Sequence, residues 1–113
     1  MTAPEITTEI PVGTRRRLPN RRGHELLDFE HVGICYTVGI GRFEDGRPAE
    51  VFLNTRRHGT AVDVNARDAA VAASLLLQHG CPLDTLRRAL TRNGDGSASG
   101  PLACALDQIA EWR

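Results

Sequence analysis

The chain has 113 residues, 41% of them apolar and 25% charged, with a formal net charge of zero, which suits one domain with one modest core. A neutral chain has no overall field to draw it to nucleic acid or a membrane surface, and aromatics at 4% leave the core to Ala, Val, Leu and Ile. No run approaches the roughly 18 apolar residues of a membrane span. Pro4, Glu5 and Glu9 follow Met1 where a leader would be apolar, so a cytoplasmic protein is expected.

Residues 1–14 are polar and small, contain two prolines and have no period; they are expected to form a mobile tail ahead of a domain at 15–113. RRRLPNRR, residues 15–22, is a basic arm interrupted by Pro19. Leu27 and Phe29 then alternate with Asp28 and Glu30, predicting a short strand over 24–30. Residues 33–43 and 48–54 flank Asp45-Gly46, a favoured two-residue hairpin turn. With Glu44 opposite Arg47, Ile40 faces Val51 and Val38 faces Leu53, on one face with Ile34 and Tyr36. On the other face Gly39 falls opposite Phe52 and Gly41 opposite Glu50, and a ring over a strand glycine fills the gap that the glycine leaves.

A loop over 55–62 should lead to a helix at 65–79, with Asn65 as cap and Asp68 three positions on. Ala69 to Leu77 is apolar nearly all round, so this helix is expected to be buried on more than one side, in the domain or by a partner. Gly80 ends it, and Pro82 opens a second helix to about Leu90 with Leu83, Leu86 and Leu90 on one stripe. A glycine-rich loop, 91–100, precedes a last helix over 101–112, with Pro101 in its first turn and Leu102, Leu106 and Ile109 facing inward. Three strands followed by three helices predict an α+β fold, a three-stranded antiparallel sheet with the helices packed on one face. The thin sheet and the Ala-rich helix also suggest a homo-oligomer.

No complete catalytic constellation stands out, and no cofactor is expected. His24, His31, His58 and His79 lack metal-ligand spacing with each other or with the cysteines, so no metal site is expected. Cys35, Cys81 and Cys104 are odd in number, and Cys35 and Cys104 read as small buried hydrophobes. Ser74 lies mid-helix, with no nucleophile elbow around it. Gly39 and Gly41 lie within a strand and lack the third glycine and the helix of a dinucleotide fingerprint. All fourteen basic residues are arginine, so every cation is a planar fork suited to carboxylate or phosphate. The most suggestive feature is Arg56-Arg57-His58-Gly59-Thr60, between a strand and a helix. A helix start favours an anion and two arginines add bidentate capacity. Arg17, Arg21 and Arg22 of the basic arm are candidates to join this site, which would take phosphate, a nucleotide or nucleic acid. The bland alternative is a solvated loop whose arginines pair with surface acids.

Leu18-Pro19 with Arg21 or Arg22, Tyr36, Gly46 with Glu50 and Phe52, Gly59, Ser74-Leu75 with Gln78, Gly80 and Pro82, and Asp107 together give the chain, over about 17–111, a pattern that resembles the TSCPD domain. This family occurs near the C-terminus of adenosylcobalamin-dependent ribonucleotide reductases and as small free-standing proteins. The motif that names it has cysteine then proline before the aspartate; here the residues are Ala105-Leu106-Asp107, with Cys104 one place early, so a cysteine-dependent role is not carried over. The resemblance implies a non-catalytic accessory or regulatory module, binding a nucleotide or nucleic acid or acting with a ribonucleotide reductase in trans. A chain of this length has no room for the reductase barrel and its radical-generating and redox cysteines. A self-associating scaffold and a thiol- or metal-dependent function are the alternatives.

Overall fold

Alternation of apolar and polar side chains builds an antiparallel sheet in chain order β1-β2-β3. The computed structural model describes residues 24–111; the expected N-terminal tail and the basic arm with Arg17, Arg21 and Arg22 lie outside the described residues. The strands are β1 (His24–His31), β2 (Ile34–Arg42) and β3 (Pro48–Thr55), and the helices are α1 (Ala61–Gln78), α2 (Leu83–Ala89) and α3 (Pro101–Glu111). The expected α+β architecture is therefore present.

Register follows the expected pairing, with Val38 opposite Leu53, Gly39 opposite Phe52 and Ile40 opposite Val51. The turn differs from the expectation. Phe43 N–H donates to Arg47 C=O at 2.9 Å and Gly46 N–H donates to Phe43 C=O at 2.9 Å, which makes a three-residue loop with Gly46 at φ +93°. A bulge beside Gly41/Arg42 then absorbs the extra residue and restores the register. The β1–β2 connection, Val32-Gly33, is a two-residue turn with both residues at positive φ, +52° and +78°. Valine is a poor residue for that region, which is why this turn was not legible.

One face of the sheet carries Tyr36, Val38, Ile40, Val51 and Leu53 into the core, against Ala66, Ala70, Ala73 and Leu77 of α1 and Leu86, Leu106 and Ile109 of the other helices. On the opposite face a β-carbon on Gly39 would lie 2.9 Å from Leu26 Cδ2 and 3.4 Å from Phe52 Cδ2, so these two side chains do close over the glycine.

α1 begins one turn earlier than expected. Thr60, not Asn65, is its cap: Thr60 Oγ1 accepts from Asp63 N–H at 3.2 Å. The helix is also buried on one side only. Val64, Val71, Leu75 and Leu76 remain exposed on its outer face, so the expected burial on several sides is not met within the described residues. Its inner face does more than fill the core. Ser74 Oγ accepts from Val51 N–H at 2.8 Å and donates to Val51 C=O at 3.0 Å, and Gln78 Nε2 donates to Ala49 C=O at 3.0 Å. These polar side chains pair the outer edge of β3, which otherwise would be a row of open backbone groups.

The 91–100 segment is ordered by its own hydrogen bonds. Asn93 N–H donates to Ser97 C=O at 2.8 Å, and Asp95 Oδ1 accepts from Ser97 N–H at 2.9 Å and Ser97 Oγ at 2.6 Å. His31 Nε2 lies 3.1 Å from Ser99 C=O, tying the end of β1 to this segment.

Candidate functional site

The junction between β3 and α1 is organised by one acid, Asp63. Asp63 is 2% exposed. Its Oδ1 accepts from Thr55 N–H at 2.8 Å and from Thr55 Oγ1 at 3.2 Å, and its Oδ2 accepts from Arg67 Nε at 2.8 Å. These bonds, the Thr55 N–H foremost, hold its carboxyl below the usual carboxylate range although burial pushes the other way. Asp63 thus brings its own anion to the start of α1, where the helix dipole favours one.

Around that acid the 56–60 loop closes tightly. Arg57 N–H donates to Thr55 Oγ1 at 3.0 Å, and Arg57 C=O accepts from Thr60 Oγ1 at 2.8 Å. Gly59 sits at φ +81°, the left-handed region that the reversal into the helix requires. His58 Nδ1 is 3.2 Å from Arg67 Nη2; arginine can only donate, so this nitrogen is the acceptor.

The two arginines remain at the surface. Arg56 approaches Asp28 only at 4.0 Å and its side chain is 79% exposed. Arg57 is exposed, and its guanidinium has no ion-pair partner among the described residues. Of the predicted set, Arg56, Arg57, His58, Gly59 and Thr60 share one loop. Thr60 and His58 are engaged with the helix start, and Gly59 serves the backbone. The two guanidiniums face solvent, as does the His58 ring, whose side chain is 76% exposed.

Comparison with known proteins can be set beside this geometry. Residues 8–112 match the TSCPD domain family. The chain belongs to that family. The TSCPD chain is 35% identical over 77 residues to the vitamin B12-dependent ribonucleotide reductase of Agrobacterium fabrum, covering 68% of this chain and 6% of that protein. It is 32% identical over 82 residues to the enzyme of the same name from Bradyrhizobium diazoefficiens, covering 73% and 6%. To that of Rhodopirellula baltica it is 29% identical over 72 residues, covering 64% and 7%. The chain therefore spans only a small fraction of the length of these curated relatives. No solved structure matches it.

In this TSCPD domain the aspartate of the naming motif has a structural task. Asp107 Oδ2 accepts from Arg92 Nη1 at 2.6 Å, and its Oδ1 accepts from Arg92 Nη2 at 2.9 Å and from Arg87 Nε at 3.0 Å. Arg87 reaches Asp84 as well, at 3.0 Å. One carboxylate on α3 thus clamps α2 and the segment after it, and the Arg92 bonds above all hold it below the ordinary carboxylate range. Ala105 and Leu106, which stand in the motif's cysteine and proline places, are fully buried.

The cysteines do not assemble into a site. All three are free; Cys35 is exposed and not the buried hydrophobe expected, because its side chain lies on the sheet face away from the helices, while Cys81 and Cys104 are half-buried. Burial pushes the Cys104 thiol up, away from the thiolate that nucleophilic chemistry uses. Among the described residues no group of three His, Cys, Asp or Glu is placed to hold a metal ion, and no helix is long and apolar enough to cross a membrane.

Proposed function

We propose that this TSCPD domain is a non-catalytic accessory or regulatory module, related to the corresponding part of vitamin B12-dependent ribonucleotide reductases, that engages a nucleotide or nucleic-acid phosphate through Arg56 and Arg57. The observation that carries the reading is that Arg56 and Arg57, neighbours in sequence, are both exposed on an otherwise internally bonded loop. Asp63 already compensates the start of α1, so binding would rest on the arginine forks rather than on the helix amides. Such contacts release counterions, and the affinity should fall steeply with salt. Isothermal titration with ATP, comparing the natural chain with Arg56→Ala/Arg57→Ala at low and moderate salt, tests this. Loss of binding in the double variant supports the reading; equal binding by both, or none by either, removes it.

A second reading, self-association, is favoured by exposed apolar side chains on β1, β3 and α1. Leu26 and Phe52 meet over Gly39, and Phe52, Val71 and Leu75 line one groove of about 270 Å³ along the outer side of β3 and α1. Leu26 is 69% and Val71 58% exposed, more than a stable monomer gains from leaving open. Sedimentation velocity across a wide concentration range distinguishes the readings. A tight dimer that ignores ATP supports association alone, and a monomer throughout ends it.

A further inference from the structure

A cleft of about 470 Å³ lies between α1, the 91–100 segment and the first turn of α3. That volume is in the range of small-ligand pockets. Small residues create it: Ala66 and Ala69 of α1 come opposite Gly100, Pro101 and Ala103, so no large side chain fills the space between the helices. Val62, Leu90 and Leu102 provide apolar walls. Its lining includes the uncharged polar residues Asn65 and Thr91 and no charged side chain.

Two independent features converge on this cleft. The first is the start of α3. Gly100, which offers no side chain to cap the helix, accepts the first helical bond from Cys104 N–H at 3.1 Å, and no acid occupies the first turn. Pro101 has no N–H, which leaves the Leu102 and Ala103 amides without partners inside the helix. Both residues line the cleft. This helix end is unlike that of α1, which carries the Thr60 cap and the Asp63 carboxylate.

The second is Tyr36. It is 4% exposed, and its ring stacks on Phe29 with centroids 5.5 Å apart. It lines the cleft, and its hydroxyl has no hydrogen-bond partner among the described residues, yet no side-chain polar atom there is sealed away without one. The hydroxyl is therefore reachable from outside, and the cleft is the opening that Tyr36 lines. A phenol buried to this degree normally has a partner.

We infer that this cleft is a binding site for a small organic anion, a carboxylate or phosphate monoester carried on an apolar ring, whose charged group meets the Leu102 and Ala103 amides and the Tyr36 hydroxyl while the ring lies against the Val62, Leu90 and Leu102 walls. The site is independent of the arginine loop, none of whose residues 56–60 lines it.

Amide-resolved NMR titration of the full chain with phenyl phosphate, benzoate, benzyl alcohol and inorganic phosphate tests the site. Saturable shifts centred on Gly100, Leu102 and Ala103 are expected with phenyl phosphate or benzoate, and the tighter of the two identifies the preferred anion. Benzyl alcohol and inorganic phosphate, each lacking one half of the recognised group, should bind on the order of tenfold more weakly. Tyr36→Phe keeps the ring and its stacking but removes the hydroxyl, and should weaken binding about fivefold. Ala69→Leu, at the half-buried rim, fills the cleft and should abolish the shifts while leaving the remaining spectrum in place. Absence of saturable shifts at the α3 start with either aromatic anion overturns the inference, as do unchanged affinities in both variants. Shifts confined to residues 56–60 also overturn it and place anion binding at the arginine loop instead.

Discussion

Ser74→Ala is the sharpest test of how α1 is held to the sheet. Ser74 is 8% exposed and its hydroxyl serves both backbone groups of Val51, itself 1% exposed, at 2.8 and 3.0 Å. The substitution removes one oxygen and orphans a buried N–H and a buried C=O together. An orphaned buried polar group costs about 1–3 kcal/mol, with the carbonyl at the lower end. The better helix propensity of alanine returns roughly 0.5 kcal/mol. The net expectation is a loss of about 2–3 kcal/mol, which for a domain of this size lowers Tm by about 10–20 °C. Urea unfolding followed by far-ultraviolet circular dichroism gives the free energy, and the slope of the transition checks that the native state has kept its compactness. Val71→Ala on the outer face of the same helix serves as the matched control and should stay within about 1 kcal/mol of the natural chain. A loss below about 0.5 kcal/mol for Ser74→Ala with an unchanged slope would refute the view that α1 side chains close the β3 edge.

Val32→Asn should stabilise the domain by about 1 kcal/mol, because Val32 is 83% exposed and sits at φ +52°, a region that asparagine tolerates and a β-branched residue does not; a lower Tm would count against that turn geometry. Leu106→Ala, at a fully buried position, should cost about 2–5 kcal/mol by the same urea measurement, and a cost under 1 kcal/mol would place Leu106 outside the core. Acid should weaken the fold in a defined window. The Asp107 carboxyl is held low by Arg92 and Arg87, so the stability it brings is complete above about pH 4 and is lost as pH falls through its depressed folded value. Melting curves from pH 6 to pH 2.5 should show a shallower acid decline in Asp107→Asn than in the natural chain, and identical slopes would dismiss the clamp. Thiol labelling at pH 8 should reach exposed Cys35 well before Cys104, whose thiol burial pushes up; equal rates would reopen thiol chemistry at Cys104.

Much of the architecture was written in local patterns. Period-two alternation gave the register of β2 and β3 because a slip of one residue would move Val38, Ile40, Val51 and Leu53 to the wrong face. Gly80 and Pro82 marked the end of α1 and the start of α2 by their backbone limits alone. What escaped was chemistry that depends on tertiary placement. Thr60-x-x-Asp63 and Asn65-x-x-Asp68 are equally good cap patterns on paper; only the approach of Thr55 to Asp63 makes the first the true start. The tasks of Ser74 and Gln78 exist only because the edge of β3 comes beside them. The turn at Asp45-Gly46 was read one residue too short, since a compensating bulge leaves the strand register unchanged.

The candidate site was legible in composition but not in detail. Adjacent arginines at a strand-to-helix junction can be seen in any sequence, and the structure does leave Arg56 and Arg57 facing solvent. That Asp63 would already fill the electropositive helix start could not be seen, because its burial depends on packing of α1 against β3. The cleft beside Tyr36 was invisible for a similar reason. It is made of what alanine and glycine leave empty where two helices meet, far apart in sequence.

The most direct measurement is an amide-resolved NMR titration of the natural chain with ATP, repeated at 50 and 200 mM salt. Saturable shifts at Arg56, Arg57 and their loop neighbours, with an affinity that drops markedly at the higher salt, are the expected result. A spectrum in which residues 56–60 do not move at millimolar ATP and low salt would contradict phosphate recognition by these arginines.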